Sequence, residues 1–195
     1  MIIRTRVLRH LLETRDREQS IRQIAQATKT DYKNTYLAVK GLVREKAVSV
    51  EQFGHSKRVR LARLSPALMA AEVESREALL ADKGLAVMLD QLMRDLGTSL
   101  SVLLLFGSYA KKTQRKGSDI DLMLIVPDGG EEQSEKKLHV SLSLLPLPVH
   151  VLVFSESQFR RMLSSEGQNV VKQAVACAVI LHNIESYYQM ITHDR

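Results

Sequence analysis

Apolar residues recur at helical spacing from the start of the chain. Val7, Leu8, Leu11 and Leu12 form one stripe and predict a helix over residues 5–14. Ser20 followed three residues later by Gln23 has the form of a capping box and opens a second helix with Ile21, Ile24 and Ala25 inward. A third helix is predicted over residues 32–46, where Thr35, Ala38, Val39 and Leu42 share a face and Lys33, Asn34, Tyr36, Lys40 and Arg44 point mostly outward. The period then shortens to two. Residues 48–53 and 58–62 alternate around Gly54-His55-Ser56-Lys57 and read as a hairpin.

Ser65-Pro66 marks a domain boundary, because Ser caps a helix and Pro suits its first turn. Two helices should follow, with Leu68, Met69, Val73, Leu79 and Leu80 on the first, Leu85, Met88, Leu89, Leu92, Met93 and Leu96 on the second, and a break at Gly84. This Leu and Met stripe is a core face or a dimer seam, which leaves a homodimer open. Beyond Gly97, strands over 100–106, 119–126 and 149–154 alternate with a short helix after Gly107 and a helix over 131–145, and Pro127-Asp128-Gly129-Gly130 is a turn. The remaining segments, with Phe159, Met162, Leu163, Val170, Val171, Val175, Tyr187, Tyr188 and Ile191, read as helix faces that cover a sheet. The expected class is α+β: an N-terminal domain over 1–64, a helical connector over 65–96 and a small mixed-sheet domain over 97–195.

Charge separates the two ends. The chain has 195 residues and a net charge of +6, but residues 1–64 hold 15 Lys and Arg against 6 Asp and Glu, so the first third is +9 and the rest −3. Such asymmetry points to a polyanion-binding module joined to a differently employed domain. The single cysteine, Cys177, forms no internal disulfide and suits a reducing cytoplasm. Charges interrupt every apolar stretch before it reaches signal-peptide or membrane-spanning length, so a cytoplasmic protein without a membrane segment is expected.

Chemistry concentrates in one stretch. The apolar run 103–106 enters Gly107-Ser108, and a basic segment with Lys111, Lys112, Arg115 and Lys116 leads to Asp119-Ile120-Asp121 at the start of a second apolar run. On a strand, residues two apart project from one face, so both carboxylates would lie side by side. A hard cation relieves their repulsion, and Mg2+, held by one or two carboxylates plus phosphate oxygens, fits. Gly107-Ser108 offers a sharp turn off a strand into a helix start, where N–H groups and a hydroxyl can hold phosphate. Metal and phosphate would meet at one point.

Gly107-Ser108, ten residues, then Asp119-x-Asp121 resembles the signature of the DNA polymerase beta-like nucleotidyltransferase superfamily, and the short domain resembles its minimal members. The resemblance implies a Mg2+-dependent transfer of a nucleoside monophosphate from a nucleoside triphosphate to an acceptor hydroxyl. Asp119 and Asp121 would hold the metal, Gly107 and Ser108 the phosphates, with charge added by Lys111 or Lys112. It further suggests an acceptor on a partner protein, as in antitoxins that modify an all-helical nuclease toxin, or on a small molecule. The chain departs from the pattern twice. His150 stands where a third acid is expected, and Lys112 where the short helix often has a second glycine. His150 is a candidate ligand or proton acceptor.

Residues 1–64, three helices and a hairpin, resemble a winged helix-turn-helix domain. That resemblance implies binding of double-stranded DNA, with Lys33, Asn34, Tyr36 and Lys40 facing bases and Arg58 and Arg60 near phosphates. The alternative is a transcriptional regulator whose nucleotidyltransferase-like domain binds nucleotide or dimerises without turnover.

Overall fold

The computed structural model describes residues 3–15, 17–54, 56–62, 64–97, 100–143 and 148–192. The chain folds into two compact units, Met1–Ser75 and Arg76–Arg195.

In the first unit, α1 (Ile3–Glu13), β1 (Gln19–Ser20), α2 (Ile21–Ala27) and α3 (Tyr32–Arg44) precede the hairpin of β2 (Val48–Phe53) and β3 (Ser56–Leu61), and α4 (Pro66–Leu80) begins at its end. The stripes predicted from spacing are the core: Val7, Leu8, Leu11, Leu12, Ile21, Ile24, Ala25, Ala38, Val39 and Leu42, joined by Val48 and Val59. Each fully buried Leu, Ile or Val side chain contributes about 1.5–3 kcal/mol. Ser20 forms the capping box, its hydroxyl accepting from the Gln23 N–H while the Gln23 side chain accepts from the Ser20 N–H. Asp31 caps α3 by accepting from the Asn34 N–H at 2.9 Å, and the backbone and side-chain hydrogen bonds from Asn34 hold its carboxyl below the ordinary carboxylate range. One strand has no counterpart in the hydrophobic pattern. β1 is two residues long, too short for a visible period, and pairs antiparallel with β3 through Gln19↔Val59 and Ser20↔Arg58.

The second unit is built on a sheet in the order β6-β5-β4-β7, from β4 (Val102–Phe106), β5 (Ile120–Val126), β6 (Val149–Ser155) and β7 (Val179–His182). β4 runs antiparallel to β5 and β7, and β6 runs parallel to β5. On one face Leu103, Leu105, Leu122, Leu124 and Val126 pack with Leu85, Leu89, Leu92 and Leu96 of α5 (Lys83–Leu96) and with Leu138 of α7 (Glu131–Ser143). The other face is covered by α8 (Glu156–Ser164), α9 (Val170–Cys177) and α10 (Ile184–Thr192). Between β4 and β5 lies the four-residue helix α6 (Gly107–Ala110). With helices on both faces, β4 and β5 are apolar almost throughout.

Two expectations are corrected. The helical break falls before Gly84: the Asp82 side chain accepts from the Gly84 and Leu85 N–H groups and starts α5 there, with Gly84 inside it. The C-terminal segments are not all helical, because Val179–His182 is the strand β7. Its apolar run continues that of α9, and a buried strand cannot be told from a buried helix by periodicity alone. The predicted helix over 131–145 is seen to Ser143; Leu144 and Leu145 lie outside the described residues.

A buried ion pair ties α4 to its unit. Both terminal guanidinium nitrogens of Arg15 donate to the Glu72 carboxylate, at 2.6 and 2.7 Å, and the two side chains are only 6% and 0% exposed. Removing Glu72 takes from a buried guanidinium the carboxylate that both of its terminal nitrogens bind. Glu72→Ala should therefore destabilise the protein by about 3–5 kcal/mol, measured by urea denaturation, whereas Glu74→Ala, which breaks the exposed pair with Arg9, should cost no more than about 1 kcal/mol.

Candidate functional site

The site is built where β4 ends and β5 begins. In the antiparallel ladder Phe106 lies opposite Asp121, so Gly107 arrives beside the Asp121 side chain. Gly107 takes φ +69°, a left-handed conformation that L side chains adopt at a cost of about 1–2 kcal/mol. It is also crowded: a Cβ at this position would collide with Asp121 Oδ2 and come within 2.9 Å of Asp121 Cγ. Only glycine lets the chain turn here with the carboxylate in place. The turn then closes on itself, with the Lys111 N–H donating to Gly107 O at 3.2 Å and the Thr113 N–H to Ser108 O at 2.9 Å.

On its other side Asp121 meets β6. The parallel register pairs Asp121 with His150, and His150 Nδ1 lies 3.9 Å from Asp121 Oδ1. The His150 side chain is 63% exposed and that of Asp121 30%, while Val149, Val151 and Val153 of the same strand pack against the core on the opposite face. Gly107, Asp121 and His150 thus stand in a row across three neighbouring segments. Asp119 lies one residue before β5 and is exposed. Its position is set by a turn in which the Arg115 N–H donates to Ser118 Oγ at 2.9 Å and the Ser118 N–H to Arg115 O at 3.0 Å. Ser118 escaped the sequence reading, although a serine next to the first acid was visible. Ser108 is half-buried, and Lys111 and Lys112 are exposed, Lys112 with φ +56°.

Among the described residues no three His, Cys, Asp or Glu side chains converge as a ready-made metal site. The donors present are carboxylate oxygens beside a glycine turn, a set that suits a hard cation sharing its coordination shell with phosphate oxygens and water.

The basic candidates of the first unit are placed differently from one another. Lys33 and Lys40 are exposed on α3. Asn34 is engaged, donating its side-chain N–H to Asp31 Oδ2 at 2.6 Å. Tyr36 is half-buried. Arg58 and Arg60 both pair with Glu18, at 2.9 Å each, and Arg60 also with Glu51 at 2.6 Å. Such partly exposed pairs are worth about 0–1 kcal/mol and exchange readily.

The contact between residues 107 and 121 yields a specific expectation. Gly107→Ala should fold, with a loss of about 1–2 kcal/mol from the left-handed backbone, but should displace the Asp121 carboxylate. Calorimetric titration with Mg2+ and a nucleoside triphosphate should show Gly107→Ala as impaired as Asp121→Asn, with Ser108→Ala less affected.

Residues 89–181 match the family model described as a nucleotidyltransferase domain. The matched stretch runs from the middle of α5 to β7 and contains Gly107, Ser108, Asp119, Asp121 and His150. No curated protein and no solved structure matches the chain. Among the described residues no helix is long and apolar enough to cross a membrane. What the second unit is similar to, over the residues that build its sheet and its site, is a nucleotidyltransferase domain.

Proposed function

We propose that the second unit transfers a nucleoside monophosphate from a nucleoside triphosphate to an acceptor hydroxyl in a Mg2+-dependent reaction, and that the first unit binds double-stranded DNA. The carrying observation is the place of Asp121, beside the glycine turn on one side and paired in register with His150 on the other. In the transfer, the acceptor hydroxyl gives up its proton to water, its oxygen bonds to the α-phosphorus, the bond from that phosphorus to the bridging oxygen breaks, and pyrophosphate leaves. Mg2+, when held by Asp119 and Asp121, supplies positive charge against the phosphate oxygens. Gly107 keeps the backbone close to the Asp121 carboxylate, Ser108 offers a hydroxyl and N–H to the outer phosphates, and Lys111 and Lys112 add charge at the rim. Catalysis of this kind is positioning plus electrostatic stabilisation.

A second reading is favoured by His150. It is paired in register with Asp121 on the strand where the family resemblance leads one to expect a third carboxylate, and a neutral imidazole adds no negative charge. On that reading the unit binds nucleotide without turnover and the chain is a regulator.

One experiment separates the two: incubation with labelled nucleoside triphosphates and Mg2+, following pyrophosphate release and transfer of label to protein. The transferase reading expects release that is lost in Asp119→Asn/Asp121→Asn; binding without release supports the regulator. His150→Asp should tighten metal binding and raise turnover at least tenfold, equivalent to about 1.4 kcal/mol; no change would place His150 outside the site.

For the first unit, duplex affinity should fall steeply with salt, because each phosphate contact contributes about −0.9 to the slope of log K against log salt. Lys33→Ala/Lys40→Ala should make that slope shallower by about 2. An affinity indifferent to salt would remove the DNA-binding assignment.

A further inference from the structure

The first unit has three aromatic residues, Tyr32, Tyr36 and Phe53, and none is in its core, which is aliphatic throughout. Aromatic side chains bury more apolar area than any others and ordinarily dominate cores. Here Tyr32 and Phe53 are each 58% exposed. Their arrangement is ordered: the Tyr32 ring stacks on Tyr36, centroids 6.4 Å apart and planes 20° from parallel. The Lys57 ammonium lies 5.5 Å from the centre of the Tyr36 ring. Arg58 lies over the Phe53 ring with its guanidinium carbon 3.4 Å from the centroid. Tyr36 is thus engaged with both Tyr32 and Lys57, and Tyr32 and Phe53 carry the exposed ring surface.

The hairpin carries Phe53, Lys57 and Arg58 near its tip, on opposite sides of the ribbon. Lys57 pairs with Gln52 and Phe53 with Ser56, one rung apart at the end of the ladder. Because successive side chains alternate in direction, one side of the ribbon reaches the tyrosine pair of α3 through Lys57, and the other presents Phe53 with Arg58. Exposed Lys33 and Lys40 share α3 with the tyrosines.

We infer that the exposed rings of the first unit, Tyr32 on the α3 side of the hairpin and Phe53 on its other side, take the unpaired bases of a nucleic acid that is single-stranded beside a duplex. A paired base has both π-faces covered by its neighbours in the helix, so exposed flat rings gain from bases only where the stack is open. Unpaired bases stack on aromatic side chains with little regard to sequence, and flanking cations meet the phosphates between them. The charge selects this occupant over a protein partner: residues 1–64 carry +9, and each exposed ring belongs to a group that includes a cation. The inference rests on the DNA-binding reading of the first unit and specifies the form of nucleic acid.

The test is fluorescence anisotropy with the full chain, comparing a blunt duplex with the same duplex bearing a ten-nucleotide unpaired tail, at one salt concentration. The tailed duplex should bind at least tenfold more tightly. Tyr32→Ala and Phe53→Ala should each lower that preference about tenfold and leave the blunt duplex unaffected, while Tyr32→Phe should retain it; both positions are exposed, so the folded state should survive. Equal affinity for the two forms, or ring variants that weaken them equally, overturns the inference and leaves the duplex reading standing. Binding of neither form removes both. Concentration-dependent self-association of the parent chain, abolished by Tyr32→Ala and Phe53→Ala in sedimentation, would assign the rings to a second copy instead.

Discussion

The carboxylate of Asp121 occupies space that a side chain at residue 107 would need, and the sheet around it is arranged to keep it there. The contact exists only because β4 and β5 are antiparallel in the register that sets Phe106 opposite Asp121. The two strands are buried on both faces, Leu103, Leu105, Leu122 and Leu124 toward α5 and Leu104, Met123 and Ile125 on the other side, so a slip of one residue would force differently shaped side chains into close-packed faces. Burying four such side chains is worth several kcal/mol, far more than any interaction within the site. Core packing therefore positions an acid whose own environment does little to hold it.

The two units use charge in opposite ways. The first buries an Arg15–Glu72 pair to secure α4 and spreads its remaining cations over α1, α2, α3, the hairpin and the segments between them. The second keeps its acids at the rim of an apolar sheet, Asp119 exposed and Asp121 partly so. Acids left beside water can exchange it for a cation without first being desolvated.

Much of this was legible in the sequence because the signals were local. The stripe Val7, Leu8, Leu11 and Leu12, the Ser20–Gln23 capping box and the alternation of β2 and β3 each lie within a few residues, and each is found where its spacing puts it. Gly107, Asp121 and His150 could be named from their order along the chain, but their meeting depends on strand register, which no short window contains. β7 was hidden because its apolar run continues that of α9, and β1 because two residues have no period. The engagement of Asn34 by Asp31 was foreseeable as an N-cap three residues ahead; the pairing of Arg58 and Arg60 with Glu18 was not, since about forty residues separate them.

That last pairing gives the hairpin a built-in rival for its own arginines. A carboxylate presents two oxygens to a guanidinium much as a phosphate does, so Glu18 and Glu51 act on Arg58 and Arg60 as an intramolecular imitation of a polyanion. On the proposed DNA-binding reading, an incoming phosphate would have to displace this tethered carboxylate, at a cost of about 0–1 kcal/mol for each partly exposed pair. On that reading, the full use of these two side chains would go to a ligand that brings other contacts at the same moment.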